Sequence, residues 1–297
     1  MQSSRQLTRS DFSAEQAEEI AGIAETQGWQ VAAHDYMRVL DHAAYRLAID
    51  GYRGQLRFLL PLTPDSLVLQ LRCGWGPVAI SLAEYVGSVV ALDDRLPRLR
   101  FASARQKQMN LSTLHNLCAS ISPCLPFAAG VFDAVIMLDA LERPGISNPG
   151  MSGGAQVTIL NEVKRVLKPS GWLLLGAANR LGLGRPKSDQ AERICTFWGY
   201  RQLLRAAGFA SPQFHSPLPS HLEPFLIMPL DHPEVLSHFI GRLFTSPEYQ
   251  SKLKDRGLSS VFRLASLMWR AGRRLRLTGL AQLFVPSYLI MAQKGEP

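Results

Sequence analysis

Two features of the sequence could hold a nucleoside, and they stand about 20 residues apart. The turn Cys73–Gly76 follows a short apolar run, and its glycines let the backbone approach a ligand because they carry no Cβ. Asp93, with Asp94 beside it, follows the next apolar run, where a carboxylate can accept hydrogen bonds from both ribose hydroxyls. Their order and spacing predict a site for an adenosine-bearing cofactor. Aspartate also ends many strands as a turn former, so Asp93 has a structural alternative.

The elements around these features are short apolar runs that alternate with helical stretches. The predicted strands are Leu67–Leu71, Ser88–Leu92, His115–Ala119, Phe132–Leu138, Trp172–Ala177, Ser211–His215 and Tyr288–Met291. The predicted helices between them are Pro77–Tyr85, Leu96–Met109, Gln156–Leu167 and Phe197–Ala207. Strands that alternate with crossover helices call for a parallel sheet covered on both faces. The sequence therefore predicts an α/β fold with a doubly wound, mostly parallel, seven-stranded sheet.

Four segments make up the predicted organisation. Residues 1–62 form a helical extension, in which Ser13 begins a helix. Residues 63–217 form the core, residues 218–283 a helical insertion or lid, and residues 284–297 the last strand of the core.

The net charge of +8 owes most to arginine, which supplies 25 of the 32 basic residues. This balance favours contact with phosphates, acidic substrates or an anionic membrane. The four cysteines form no metal-binding pattern, so we expect no metal and reduced thiols. With no signal peptide and no spanning apolar run in the sequence, we expect a cytoplasmic protein.

The segment Lys252–Arg276 carries eight basic residues against the single acid Asp255, with apolar residues at helical spacing in its later part. A basic amphipathic helix can lie on an anionic membrane, here the inner membrane face, or dock on an acidic partner protein. A lid helix packed on the sheet with a solvated basic edge is the alternative. Nucleic acid is disfavoured as a partner because no recognisable binding module accompanies the charge.

Four segments, in order, carry a resemblance to a known family. They are VLQLRCGWG (Val68–Gly76), LPFAAGVFDAVIMLDALE (Leu125–Glu142), ILNEVKRVLKPSGWLLLGAANR (Ile159–Arg180) and GYRQLLRAAGF (Gly199–Phe209). They resemble the glycine-rich first motif, the fourth-strand region, the L-x-E-x-x-R-V-L-K-P-G-G segment and the late helix of class I, S-adenosylmethionine-dependent methyltransferases. The third match is the most specific, and the resemblance extends from about Pro64 to Lys294.

The fine pattern is also similar to a bacterial subgroup found with enzymes of cell-surface polysaccharide and sugar modification. The residues that carry this likeness are Leu141–Glu142 after the fourth strand, Asn179–Arg180 after the fifth and Pro217–Ser220 after the sixth.

The resemblance implies S-adenosylmethionine as cofactor and S-adenosylhomocysteine as product. The cofactor-binding residues that it implies are Gln70, Arg72, Gly74, Gly76, Asp93 and Asp94. Gln70 replaces the family's usual acid, so the charge assistance given to the cofactor's ammonium group is lost. Arg72 replaces the usual first glycine and adds positive charge near a sulfonium. Ser120–Ser122 stands where an acid often faces the adenine amino group.

Methyl transfer needs alignment of the reacting groups, and a base if the acceptor is a hydroxyl. Asp139 directly follows the fourth strand, where it would face the methyl group. The alternative to a catalytic role is that Asp139 caps a helix. His215 and His221 flank the proline-rich segment after the sixth strand, and either could serve as base or be purely structural. Glu142 is no better founded as a candidate. Asn179–Arg180 after the fifth strand could hold an acidic acceptor, and the alternative for Asn179 is to shape the turn.

Two functions follow from these residues. The first is an S-adenosylmethionine-dependent methyltransferase that acts on a hydroxyl of a sugar, glycan or other small molecule in a bacterial biosynthetic pathway. The second is a catalytically degenerate relative that works as a binding or scaffolding subunit. Gln70 and Arg72 leave both open, because they are either tolerated variants or marks of a lost activity.

Overall fold

A computed structural model describes residues 12–49, 51–121, 124–142, 154–182, 194–232, 282–283 and 285–295. Its centre is one eight-stranded sheet in the order β3-β2-β1-β4-β5-β8-β6-β7. The strands are β1 Leu67–Leu71, β2 Ser88–Asp93, β3 Leu114–Cys118, β4 Phe132–Leu138, β5 Leu167–Ala178, β6 Phe209–Leu218, β7 Leu226–Pro229 and β8 Ser287–Lys294. The predicted α/β fold is confirmed.

Strands β1 to β5 pair in parallel, and β6, β7 and β8 add an antiparallel end to the sheet. The chain moves outward from β1 through β2 to β3, then returns to place β4 on the other side of β1. The strand order therefore reverses between β1 and β4. Ligands of doubly wound sheets bind beyond the carboxyl ends of the strands at such a switch point.

Helices cover both faces of the sheet. The α-helices are α1 Ala14–Thr26, α2 Trp29–Val31, α3 Arg38–Leu40, α4 His42–Ile49, α5 Pro77–Ala83, α6 Leu96–Gln108, α7 Gly154–Val166 and α8 Phe197–Ala206. A π-helix, Ala32–Met37, joins α2 to α3, and a 3-10 helix, Gly51–Leu59, follows α4. One core contains α7 and α8 residues such as Leu160 and Leu204, and the other contains α5 residues such as Leu82.

The N-terminal extension packs against α6 and the turn after β1. Trp75 lies edge-on between Phe12 and Phe101, with ring centroids 5.6 and 5.4 Å away. The guanidinium of Arg105 lies 4.3 Å from the ring centroid of Trp29. Aromatic and cation–π contacts therefore fix the extension over the edge of the sheet where the switch point lies.

The sheet has one strand more than the sequence predicts. β7 lies inside the segment expected to be a helical insertion, and it forms a hairpin with β6. The remainder of that segment, residues 233–281 and with it Lys252–Arg276, lies outside the described residues. In the part of the chain that is described, no helix has the length and apolar character to cross a membrane.

Candidate active site

The turn after β1 runs through left-handed backbone conformations. Arg72, Gly74 and Gly76 have φ of 56°, 59° and 85°. A Cβ built on Gly74 meets nothing within 4 Å, so this glycine faces open space. A Cβ on Gly76 would lie 2.9 Å from the Cβ of Ala102 in α6. The first glycine therefore opens the turn toward a ligand, and the second lets the turn pack against α6.

Asp93 lies against this turn and is fully buried. Its Oδ2 accepts the N–H of Gly74 at 2.9 Å, and its Oδ1 accepts the N–H of Arg95 at 3.1 Å. The guanidinium of Arg98 lies 3.5 Å from Oδ1. Burial raises the pKa of Asp93, while Arg98 and the two backbone N–H groups oppose the rise. The carboxylate therefore holds the turn and the start of α6 together, a second role beside the predicted contact with ribose.

Gln70 and Arg72 both line the cavity beside the turn. Gln70 is buried, and its Oε1 has no hydrogen-bond partner among the described residues. Arg72 Nη1 lies 4.0 Å from Asp94 Oδ2, and the Arg72 side chain is only 12% exposed. Arg72 therefore places positive charge at the cavity wall, while the more exposed Asp94 lies toward its outer side.

Asp139 and His221, two of the predicted catalytic residues, come together. Asp139 follows β4 with a left-handed φ of 58° and donates its N–H to the carbonyl of Gly176 at 2.8 Å. His221 Nε2 lies 3.8 Å from Asp139 Oδ1, and both residues are buried. The N–H of His221 donates to Ser287 Oγ at 2.9 Å, which ties the loop after β6 to β8.

Neither His221 nor His215 is among the residues that line the cavity. His215 has a different setting from His221. It lies within β6, where it pairs with Leu289 of β8 and Pro229 of β7. Burial lowers the pKa of His215. Its position in the ladder favours the structural alternative for this residue.

Glu142 and Asn179 hold the chain together beyond the carboxyl ends of the strands. Glu142 Oε1 accepts the N–H of Ala178 at 2.6 Å and the hydroxyl of Tyr200 at 2.8 Å. Asn179 is fully buried and donates to the carbonyls of Leu283 and Val285, both at 2.7 Å. These contacts explain both residues as anchors of β5, α8 and the segment that leads into β8.

A cavity of about 120 Å³ lies between the turn, Asp139 and the N-terminal extension. Among the lining residues that the sequence interpretation missed are Arg53, Arg98 and Leu222. Arg53 and Leu222 come from segments far from the motif, and no pattern in the sequence links them to it. Arg98 follows Asp93 by five residues across a strand-to-helix turn, a spacing that could have suggested the ion pair.

The cavity volume is small for a ligand pocket. It is smaller than the roughly 300 Å³ at the lower end of small-molecule pockets, and it offers room for on the order of ten water molecules. A part of a nucleoside cofactor fits this space if that part is about the size of an amino acid.

These elements define a class of protein. The switch point of the sheet, the glycine turn after β1 and the acid after β2 form the nucleoside-binding arrangement of doubly wound α/β domains. The open side of the turn at Gly74 leaves space for such a ligand. Gln70 Oε1 is buried at the cavity and has no partner in the described part of the chain, so it can accept a hydrogen bond from the ligand.

Residues 69–175 match the family of methyltransferase domains. This region contains the glycine turn, Asp93 and Asp139 and extends from β1 into β5. This match over residues 69–175 supports the class I, S-adenosylmethionine-dependent methyltransferase domain that the resemblance in the motifs predicts. No curated protein sequence matches the chain.

Solved structures share the fold at low sequence identity. A phosphoethanolamine N-methyltransferase 2 from Haemonchus contortus, in complex with phosphomonomethylethanolamine and S-adenosylhomocysteine, has 16% identity and a TM-score of 0.52, over 94% of this chain and 60% of that one. An S-adenosylmethionine-dependent methyltransferase from Thermotoga maritima has 15% identity and a TM-score of 0.51, over 90% and 99%. The [4+2]-cyclase SpnF has 17% identity and a TM-score of 0.50, over 82% and 80%. Because SpnF is a cyclase, the fold alone does not fix the reaction.

Proposed function

We propose that this protein transfers a methyl group from S-adenosylmethionine to a hydroxyl of a sugar or other small molecule in a bacterial biosynthetic pathway. The observation that carries the proposal is the position of Asp139, which lines the cavity beside the glycine turn and lies 3.8 Å from His221 Nε2. The matched methyltransferase family supports the cofactor. The sugar acceptor and the bacterial setting rest on the finer likeness at Leu141–Glu142, Asn179–Arg180 and Pro217–Ser220.

The residues of the chain fit the cofactor by their chemistry. Gly74 leaves its side of the turn open, Gln70 Oε1 offers a buried acceptor, and Asp93 ends β2. A carboxylate has about four acceptor positions, of which Gly74, Arg95 and Arg98 occupy three, so Asp93 can still accept a hydroxyl. S-adenosylmethionine held by these residues would supply the methyl group, and S-adenosylhomocysteine would be the product.

His221 is the proton acceptor in this proposal. The hydroxyl oxygen of the acceptor forms the new O–C bond and gives its proton to the imidazole. Asp139, 3.8 Å from His221 Nε2, stabilises the imidazolium that results and positions the ring. Gly176 leaves room for that ring, because a Cβ there would lie 3.2 Å from His221 Cδ2.

Titration calorimetry with S-adenosylmethionine and S-adenosylhomocysteine tests cofactor binding. We expect a Kd well below about 1 mM, which corresponds to about −4 kcal/mol. Binding no tighter than that would refute the enzymatic function and support the scaffolding alternative. Transfer of a labelled methyl group to a panel of sugars and other hydroxyl compounds then identifies the acceptor.

The variant His221→Asn tests the proton acceptor. We expect kcat to fall by about 10²- to 10⁴-fold, because general-base catalysis contributes that much, while affinity for S-adenosylhomocysteine stays the same. The matched control is His215→Asn, a histidine in the same part of the chain that lies within the β6 ladder, whereas His221 faces Asp139. If both variants lose the same activity, His221 has no specific role.

We further place the protein in the cytoplasm, with attachment to the inner membrane face or to an acidic partner through Lys252–Arg276. The charge of this segment supports the idea, since basic amphipathic sequences bind anionic surfaces. Co-sedimentation of the full chain with anionic and neutral lipid vesicles tests it, and equal recovery with both would contradict a charge-driven membrane contact.

A further inference from the structure

The loop between β6 and β7, residues 219–225, carries His221 and is here called the His221 loop. The N–H of Phe225 donates to the carbonyl of Leu218 at 2.9 Å, which closes the loop where the two strands meet. The N–H of His221 donates to the hydroxyl of Ser287 at 2.9 Å, at the start of β8. The sheet therefore holds the His221 loop on one side.

The N-terminal extension contacts the His221 loop at two further points. Arg53, in the 3-10 helix of the extension, donates its Nε–H to the carbonyl of Leu222. Arg46 Nη2, in α4, lies 3.4 Å from Glu223 Oε1. Leu222 and Glu223 directly follow His221 in the sequence. The extension is thus joined to the two residues next to the proposed proton acceptor.

These two contacts differ in burial and therefore in strength. Arg53 is 8% exposed, and its Nη1 also donates to the carbonyl of Leu47 at 3.3 Å. Because one planar guanidinium donates to a carbonyl of α4 and to a carbonyl of the His221 loop, it fixes the two segments relative to each other. The side chains of Arg46 and Glu223 are 39% and 19% exposed, so solvent screens their attraction more strongly. We expect Arg53 to be the stronger of the two contacts.

The residue that faces His221 is fixed by the sheet rather than by this loop. Asp139 follows β4 and donates its N–H to the carbonyl of Gly176 in β5 at 2.8 Å. The separation of 3.8 Å between Asp139 Oδ1 and His221 Nε2 therefore depends on where the His221 loop lies. His221 is only 4% exposed, so a movement of the loop away from the sheet would bring its ring into contact with water.

We propose that Arg53 and Arg46 are positioning residues, which act through the His221 loop and keep the imidazole against Asp139. The inference rests on the proposed function, in which that imidazole accepts the proton of the acceptor hydroxyl. A displacement of about 1 Å near the reacting groups can cost about 100-fold in rate, so contacts of this kind affect kcat. Residues outside the matched methyltransferase region thereby contribute to the catalytic arrangement.

Modification by diethyl pyrocarbonate, followed by peptide mass spectrometry of the full chain, measures the exposure of His221 without any substrate. The reagent acylates imidazole rings that solvent reaches, and the exposed His115 of β3 is the internal reference. We expect Arg53→Gln to raise the modification rate of His221 relative to His115 by roughly 10- to 100-fold, because a charge-assisted hydrogen bond is lost and the loop opens more often. An unchanged ratio would overturn the proposal.

The matched control for this experiment is Arg57→Gln. Arg57 lies in the same 3-10 helix as Arg53, but its guanidinium stacks 3.2 Å from the ring centroid of Tyr85. We expect this variant to leave the ratio unchanged. A rise equal to that of Arg53→Gln would show a general loosening of the extension and would contradict a specific role of Arg53.

An exchange of charges tests the ion pair separately. Arg46→Glu places two acids face to face, and we expect it to raise the modification rate of His221 by roughly 3- to 10-fold. The double variant Arg46→Glu with Glu223→Arg restores opposite charges and should return the rate to within about twofold of the unaltered protein. If the exchange does not restore protection, the ion pair does not hold the loop and the role of Arg46 is wrong.

The catalytic consequence is measured by labelled methyl transfer to the hydroxyl compound identified as acceptor. Arg46 and Glu223 are not among the residues that line the cavity. We therefore expect Arg46→Glu to lower kcat by roughly 3- to 10-fold and to change the Kd of S-adenosylhomocysteine by less than about twofold. In the His221→Asn background the same substitution should lower kcat no further, because the residue through which it acts is absent. An equal loss in both backgrounds would refute the positioning role.

The outcomes separate this inference from the proposed function. If S-adenosylhomocysteine does not bind, the methyltransferase function fails, and the catalytic role of the two arginines fails with it. If S-adenosylhomocysteine binds but Arg53→Gln and Arg46→Glu leave the modification of His221 unchanged, the function stands and the positioning role is wrong. If Arg53→Gln does not fold, the charge exchange at Arg46 and Glu223 decides the matter, because both side chains are partly exposed.

Discussion

Replacing Asp93 with asparagine tests whether this carboxylate holds the glycine turn to the sheet. The carboxylate accepts the N–H groups of Gly74 and Arg95 on separate oxygens and faces Arg98 at 3.5 Å. An amide of the same shape has one oxygen, so one N–H loses its acceptor and Arg98 loses its countercharge. Removal of one partner from a buried ion pair costs about 3–5 kcal/mol.

The desolvation of Asp93 determines where in that range the result falls. Burial raises the pKa of Asp93, and Arg98 opposes that rise. Part of the attraction between Asp93 and Arg98 therefore offsets the desolvation of the carboxylate. We therefore expect Asp93→Asn to lower the free energy of unfolding by about 3 kcal/mol, the lower end of the range for a broken buried pair.

Equilibrium unfolding in urea, followed by tryptophan fluorescence and far-UV circular dichroism, measures this change. The double variant Asp93→Asn with Arg98→Gln should cost less than the two single changes added together, because it leaves no buried charge unpaired. Arg100→Gln is the control on the same helix: its ion pairs with Glu18 and Glu25 are on the surface, and we expect a loss below about 1 kcal/mol. A loss below about 1 kcal/mol for Asp93→Asn would refute the structural role.

Two further variants test the packing of the turn and an acid-sensitive contact. Gly76→Ala should lower the free energy of unfolding by about 2–4 kcal/mol in urea, since φ is 85° and the new Cβ would lie 2.9 Å from Ala102 Cβ; a loss below about 1 kcal/mol would contradict this packing. The hydrogen bond from Arg165 holds the pKa of Glu162 below its usual 4.5, so Glu162 stabilises the fold above pH 4.5 and this contribution is lost as the pH falls through the lowered pKa. Thermal unfolding between pH 3 and pH 7, roughly spanning that loss, should therefore show a flatter pH dependence for Glu162→Gln than for the unaltered protein, and parallel profiles would contradict the assignment.

The strands that the sequence predicts best are those that are buried along most of their length. β1 and β4 have the predicted bounds, because each is a continuous apolar run between turn residues. β6 extends from Phe209 to Leu218, beyond the predicted Ser211–His215, because it pairs with both β8 and β7. Such partners are distant in sequence, so local hydrophobicity does not mark the full strand. β7 was missed for the same reason, since its four residues gain their structure from the hairpin with β6.

The residues of the candidate site also differ in whether the local sequence fixes their positions. The glycine turn and Asp93 could be predicted because a strand and the following turn fix their positions locally. Asp139 and His221 could be predicted as candidate residues, but their proximity could not. It depends on the loop after β6, which a hydrogen bond from the His221 N–H to Ser287 holds in place. Arg53 could not be found, because its place at the cavity comes from packing of the extension over the turn.

The burial of Asp93 bears on how the two departures in the first motif should be interpreted. Gln70 removes a negative charge from a cavity whose two carboxylates, Asp93 and Asp139, already interact with Arg98 and His221. An acid at position 70 would have to ionise in a buried setting, and it would lie at the same cavity wall as Arg72. A neutral glutamine avoids that cost but leaves the ammonium group of a cofactor without a charged partner.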